Sequence, residues 1–148
     1  IGYLGTGDHT FDFNYDALQT GRRTVSNMNA DGVLQDRSAK LFRGTIDFQK
    51  GAAGSKGDEK EDVLLLGEDV VNRTIPLILC AEEDVEGNHG ASIGQLDEDI
   101  LFYMNSRGLS RAEAELLITR SKLEALCAKA NDPGLTDRVH RYLEENAQ

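Results

Sequence analysis

Hydrophobic and polar positions alternate in short runs over the first two-thirds of the chain and switch to helical spacing in the last third. In TFDFNY (10–15), Phe11, Phe13 and Tyr15 alternate with polar residues, the period-two pattern of a half-buried strand. KLFRGTIDF (40–48) is a second run rich in strand formers, and VLLLG (63–67) and TIPLILC (74–80) complete the set. TVSNMNADGVL (24–34) carries Asp31-Gly32, which predicts a turn between two short extended pieces. QKGAAGSKGDEKED (49–62), rich in glycine and charge, reads as a surface loop.

Many short runs with no helix-length period predict an all-β region to about residue 95. A sandwich would favour longer strands and clear hairpins, whereas short runs with scattered turns and recurring Asn and Gly fit a parallel β-helix at least as well. No exact repeat decides between them. At ~20–25 residues per coil the region would supply about four rungs.

After residue 95, QLDEDILFYMNSRG offers Asp97 as N-cap, Glu98 and Asp99 in the first turn, and Gly108 just past the end. Ile100, Leu101, Tyr103 and Met104 supply its apolar stripe. The following helix opens on Ser110 with Glu113 three residues on, a capping box, and carries Leu116, Leu117, Leu123, Leu126 and Cys127 on one face. Asn-Asp-Pro-Gly at 131–134 ends it, and Thr136 is placed to cap a short last helix. The chain therefore reads as a β region over 1–95 and a small helical domain over 96–148, the apolar stripe of the tail packing back on the end of the β region. It begins with Ile1 in what already looks like a strand, which predicts a piece cut from a longer protein.

Composition narrows the function. The net charge of −10 opposes binding to nucleic acid or to an anionic membrane surface, since phosphate must be neutralised by Lys and Arg. No run approaches a membrane span, and no signal peptide opens the chain. Cys80 and Cys127 have no paired spacing, so the chain reads as a protein of a reducing compartment, the cytoplasm by default.

His89 lies in VEGNHGAS, between Asn88 and Gly90, where strands give way to helices. Read alone, it is either a hydrogen-bonding turn residue or a ligand. KLFRGTIDF, VLLLG and HGASIGQLDEDILFYMNSRGLSRAEAELLI, from Lys40 to Ile118, together resemble the SufB/SufD family of iron-sulfur cluster assembly proteins in the C-terminal part of its core domain. The most specific portion runs from His89 to Arg107. The resemblance implies a right-handed parallel β-helix followed by a small helical domain. It also implies a partner of the same family, either a paralogue or a second copy, and docking of an ABC-type ATPase, SufC, on the helices. The SufB branch looks like a scaffold with a cysteine at the start of the VLLLG strand and a glutamate directly after the histidine. Here those positions hold Glu61 and Gly90, which resembles the SufD branch.

On that reading His89 handles iron or an iron-sulfur cluster held transiently at a subunit junction; an imidazole nitrogen suits Fe(II) and Gly90 leaves a partner room to approach. Cys80, in the most apolar run, reads first as a small core residue and second as a sulfur or metal site. Glu98, Asp99 and Arg107 are the candidates for contact with the ATPase. Cys127 reads as core, the acidic run 82–86 as a solvated turn, and His9 and His140 have no partner pattern. The expected function is that of a non-catalytic assembly subunit. The alternatives are a β-helix carbohydrate-active enzyme, with Asp12, Asp47 and Asp62 as candidate carboxylates, and a structural adaptor without metal.

Overall fold

The computed structural model describes residues 1–130, 132 and 134–146. Among these are seven strands: β1 (Gly2–Gly5), β2 (Thr10–Gln19), β3 (Val25–Gln35), β4 (Ala39–Phe48), β5 (Ser55–Leu66), β6 (Val71–Cys80) and β7 (Val85–Gln95). Three helices follow, α1 (Glu98–Ser106), α2 (Arg111–Lys129) and α3 (Leu135–Asn146). The chain divides into two compact units, with the break between Ile93 and Gly94.

In the first unit the strands alternate between two sheets, ordered β1-β3-β5-β7 and β2-β4-β6. Pairing is parallel for β2 with β4, β4 with β6 and β3 with β5. No strand pairs with its sequence neighbour, which rules out hairpins and makes each two-strand stretch one coil. The first unit is a parallel β-solenoid of about three turns.

The coil is longer than the expected 20–25 residues, and the expectation of four rungs falls with it. Thr10 lies beside Ala39, Val25 beside Lys56 and Ala39 beside Val71, so one turn takes about 30 residues. Two segments expected to be irregular account for the difference. Asp31-Gly32 makes no turn, because both residues lie within β3. A Cβ on Gly32 would stand 2.5 Å from the Tyr3 ring and 2.6 Å from the Tyr3 carbonyl oxygen, so glycine serves close packing between coils. The expected loop over 49–62 becomes strand from Ser55 onward, with Ser55, Gly57, Glu59 and Glu61 buried and Lys56, Lys60 and Asp62 exposed. Both faces of this strand are polar over residues 55–62, which hides the alternation there from a hydropathy reading.

Inside the solenoid, β4 contributes Lys40, Phe42, Gly44, Ile46 and Phe48. One part of the interior is apolar: Tyr3, Leu34 and Val63 are buried against Phe11, Phe13, Leu65 and Val70. Tyr3 packs on Phe11 and Phe13 with ring centroids 5.8 and 5.6 Å away, and a fully buried apolar side chain such as Leu34 or Val63 contributes about 1.5–3 kcal/mol. A coil corner is held by hydroxyl and amide groups: Gln19 donates to Ser26 at 2.6 Å, and Thr24 donates to Gln19 at 2.7 Å. Between these regions the interior is charged.

In the second unit Asp97 caps α1, its carboxylate accepting the Asp99 N–H at 2.8 Å, and Gly108 takes the left-handed turn after it at φ +94. Ser110 and Glu113 form the capping box of α2. The apolar stripes differ from expectation. In α1 only Leu101 is buried, while Ile100 and Tyr103 are exposed. In α2, Ala114, Thr119, Leu123 and Cys127 are buried and Leu116 and Leu117 are exposed, because a helix with leucines on several faces does not specify its own inner face. The break at 131–134 includes Asn131 and Pro133, which lie outside the described residues. Thr136 falls inside α3; ahead of it the Asp132 carboxylate accepts the Gly134 N–H at 3.0 Å and the Asp132 backbone carbonyl accepts the Leu135 N–H at 3.2 Å.

Candidate metal and partner site

His89 stands in the middle of β7, in extended backbone, and the expected turn is absent. Asn88 and Gly90 carry the chemistry of a turn, but β5 lies alongside and supplies a partner for the strand. Two contacts fix the register between them: Lys56 pairs with Glu86 at 2.5 Å, and Asn88 donates to Asp58 at 3.3 Å. The same offset sets His89 opposite Glu59. A Cβ at Gly87 would meet Ile78 and Phe48, so this parity of β7 faces the interior. β7 is the last strand of its sheet, which leaves the inner face open there and His89 exposed.

Beneath His89, Glu59 is 3% exposed, and its Oε2 is buried with no hydrogen-bond partner among the described residues. Burial pushes this carboxyl above the usual range, and the charges of His89 and Lys40 pull it back. A Cβ on Gly44 would stand 2.5 Å from the Glu59 carboxyl carbon, so the glycine makes the room in which that carboxylate lies. At the next inward position of β5, Glu61 pairs with Lys40. Thr74 donates to Glu61 at 2.5 Å, and Lys40 donates to Thr74 at 3.2 Å. Burial holds the Lys40 ammonium down to about 8, against the pull of Glu59. Reading the sequence missed this group, although Lys40 shares its parity with Phe42, Ile46 and Phe48.

Cys80 ends β6 and is exposed, while Cys127 is buried. Gly87 stands opposite Ile78, which sets Val85 opposite Cys80 and leaves His89 four residues further along, about 13 Å of strand. The fold therefore does not bring Cys80 to His89. Among the described residues no three His, Cys, Asp or Glu are arranged to hold a metal ion.

Glu98, Asp99 and Arg107 are all exposed on or next to α1. Glu98 pairs with Arg111 at 3.2 Å, and Arg107 lies over the Tyr103 ring at 5.2 Å. Between them Ile100, Phe102 and Tyr103 are exposed, Phe102 by 74%. The three carboxylates considered for a hydrolase do not converge. Asp12 and Asp47 lie at opposite ends of the β2-β4-β6 sheet and Asp62 lies in the other, and Asp12 is paired with Arg43. His140, for which the sequence showed no partner, sits between Arg120 and Glu124.

Residues 1–122 match the family model described as SUF system FeS cluster assembly, SufBD core domain. The chain belongs to the SufB/SufD family. It is 30% identical over 115 residues to the iron-sulfur cluster assembly protein SufD of Bacillus subtilis, covering 78% of this chain and 26% of that protein. A SufBD family protein of Mycobacterium leprae is 32% identical over 128 residues, 85% of this chain and 14% of the relative. SufD of Escherichia coli is 28% identical over 107 residues, 72% and 25% of the two chains. The chain thus spans about a quarter or less of the length of these relatives. Iron-sulfur cluster assembly is the setting of the SufB/SufD family, and the SufD relatives agree with the branch suggested by Glu61 and Gly90. No helix among the described residues is long and apolar enough to cross a membrane.

Proposed function

We propose that this chain is part of a non-catalytic subunit of an iron-sulfur cluster assembly complex. It pairs with a second SufB/SufD-type subunit through the last coil of its solenoid and docks an ABC-type ATPase through its helices. The observation that carries the reading is the position of His89, an exposed imidazole on the open edge of β7. An edge strand offers unpaired backbone groups to a second chain, and β6, the edge of the other sheet in the same coil, presents Ile75, Leu77 and Leu79 at 53%, 46% and 43% exposure. Such a row at an edge is a surface for another protein.

Iron or a nascent cluster is cargo here, taken at the junction. His89 offers one nitrogen, and further ligands come from the partner, since Cys80 stands about 13 Å of strand away. Where the scaffold branch carries its cysteine, this chain carries Glu61, locked by Lys40 and Thr74. Cytoplasmic location follows from the same reading. For the ATPase, the exposed Ile100, Phe102 and Tyr103, flanked by Glu98, Asp99 and Arg107, supply an apolar centre with a charged rim.

The test is reconstitution of the full-length protein with its family partner and ATPase. His89→Ala should leave the complex intact and abolish cluster formation, whereas Phe102→Asp should lose the ATPase on co-purification. Unchanged cluster assembly with His89→Ala would remove the role given to that residue.

A further inference from the structure

The buried Glu59 carboxylate under His89 feels the charge of Lys40, yet its Oε2 accepts no hydrogen bond among the described residues. Glu61 neutralises Lys40, and Thr74 completes that pair. Glu59, two residues earlier on the same inner face, keeps a buried Oε2 with no hydrogen-bond partner among the described residues. Leaving a buried acceptor unpaired is costly, so the group calls for a partner that arrives or reorients in use. The neighbouring strand places one there, since the register that joins Lys56 to Glu86 and Asp58 to Asn88 sets His89 opposite Glu59. Gly44 on the facing sheet keeps the space around the carboxylate clear.

We propose that Glu59 is the positioning residue of His89: it accepts the inward N–H of the imidazole and leaves the outward ring nitrogen unprotonated to bind iron. This rests on the reading of His89 as an iron site and adds the device that orients it. An exposed histidine on an edge strand otherwise samples both ring flips and both tautomers, each flip turning a protonated nitrogen outward for part of the time. A carboxylate beneath it selects one orientation, and such partners typically contribute ~10–100-fold in metal affinity. The inner side of the ring then faces the solenoid and the outer side faces the junction.

The experiment uses the full-length protein with 15N-labelled histidine, assigned with His89→Ala, and anaerobic Fe(II) titration of the complex with its partner subunit. In the unsubstituted protein His89 should give one tautomer and a ring N–H slow enough in exchange to be seen. Glu59→Leu, which removes the acceptor at similar volume, should lose that resonance and weaken Fe(II) binding ~10–100-fold. Glu59→Gln keeps an acceptor oxygen and should restore both. A fast-exchanging tautomer mixture in the unsubstituted protein overturns the proposal without need of any variant, as does Glu59→Leu with unaltered Fe(II) affinity. Unaltered affinity in His89→Ala instead overturns the iron site itself, so the two failures are separable.

Discussion

Lys40 and Glu61 meet as an ion pair across the inside of the solenoid, with side chains 0% and 1% exposed. A buried pair rarely adds net stability over apolar residues of the same shape, because both charges have left water. Removing one partner is different, since it strands the other. Glu61→Leu or Lys40→Met alone should cost about 3–5 kcal/mol in urea unfolding of the full-length protein. The double substitution Lys40→Met with Glu61→Leu should recover most of that loss. A double variant as unstable as the two losses added together would show that the pair contributes no coupling.

Gly32 and Gly90 form a matched test of close packing. A Cβ on Gly32 meets the Tyr3 carbonyl oxygen at 2.6 Å, and backbone cannot swing away as a flexible side chain can. Around Gly90 nothing lies within 4 Å, and its φ is not in the left-handed region. Gly32→Ala should therefore destabilise by about 1–3 kcal/mol. Gly90→Ala should be neutral or stabilise by up to ~1 kcal/mol through the unfolded chain. Thermal unfolding of the two variants side by side checks the contrast.

These glycines also show what was legible in the sequence and what was not. The division into strands then helices, the N-caps of α1 and α2 and the glycine after α1 follow from local chemistry, and the structure has them where the residues said, whereas Thr136, expected to cap α3, lies inside it. Apolar alternation likewise marked β2, and runs of strand formers marked β4 and β6. The length of the coil was hidden, because Asp-Gly in β3 and the charged start of β5 mimic turns when read one strand at a time. Only the neighbouring coil reveals that Gly32 makes room for Tyr3 and that Glu61 has Lys40 to meet. His89 was legible as a residue of interest, but its carboxylate partner lies 30 residues away on the next strand, a distance at which spacing carries no signal without the register.

The two cysteines should separate by accessibility. Cys80 is exposed at the end of β6 and Cys127 is buried in α2. Iodoacetamide should label Cys80 in the folded full-length protein and Cys127 only after denaturation, read by peptide mass. Equal labelling of both under native conditions would contradict the burial of the α2 face.

Glu59 supplies a pH dependence whose sign follows from its burial. Its carboxyl is held above the ordinary value of 4.5 in the folded chain, burial being the first cause. Between the unfolded and folded values the native state binds the extra proton, so stability from this group is full below about 4.5 and is lost as pH rises through the folded value. Glu59→Gln removes the charge that has to be buried and keeps the shape. At neutral pH the variant should be more stable than the unsubstituted protein, because no ionised carboxyl then has to be kept in a buried site. That gain should shrink as the medium is acidified toward pH 4. Unfolding free energies across pH 4–8 for both proteins check it. A constant difference over that range would mean that the substitution acts through packing and that Glu59 is not the titrating group. A gain at neutral pH would show that the acidic residue costs the fold stability, as expected of a carboxylate placed for the imidazole above it.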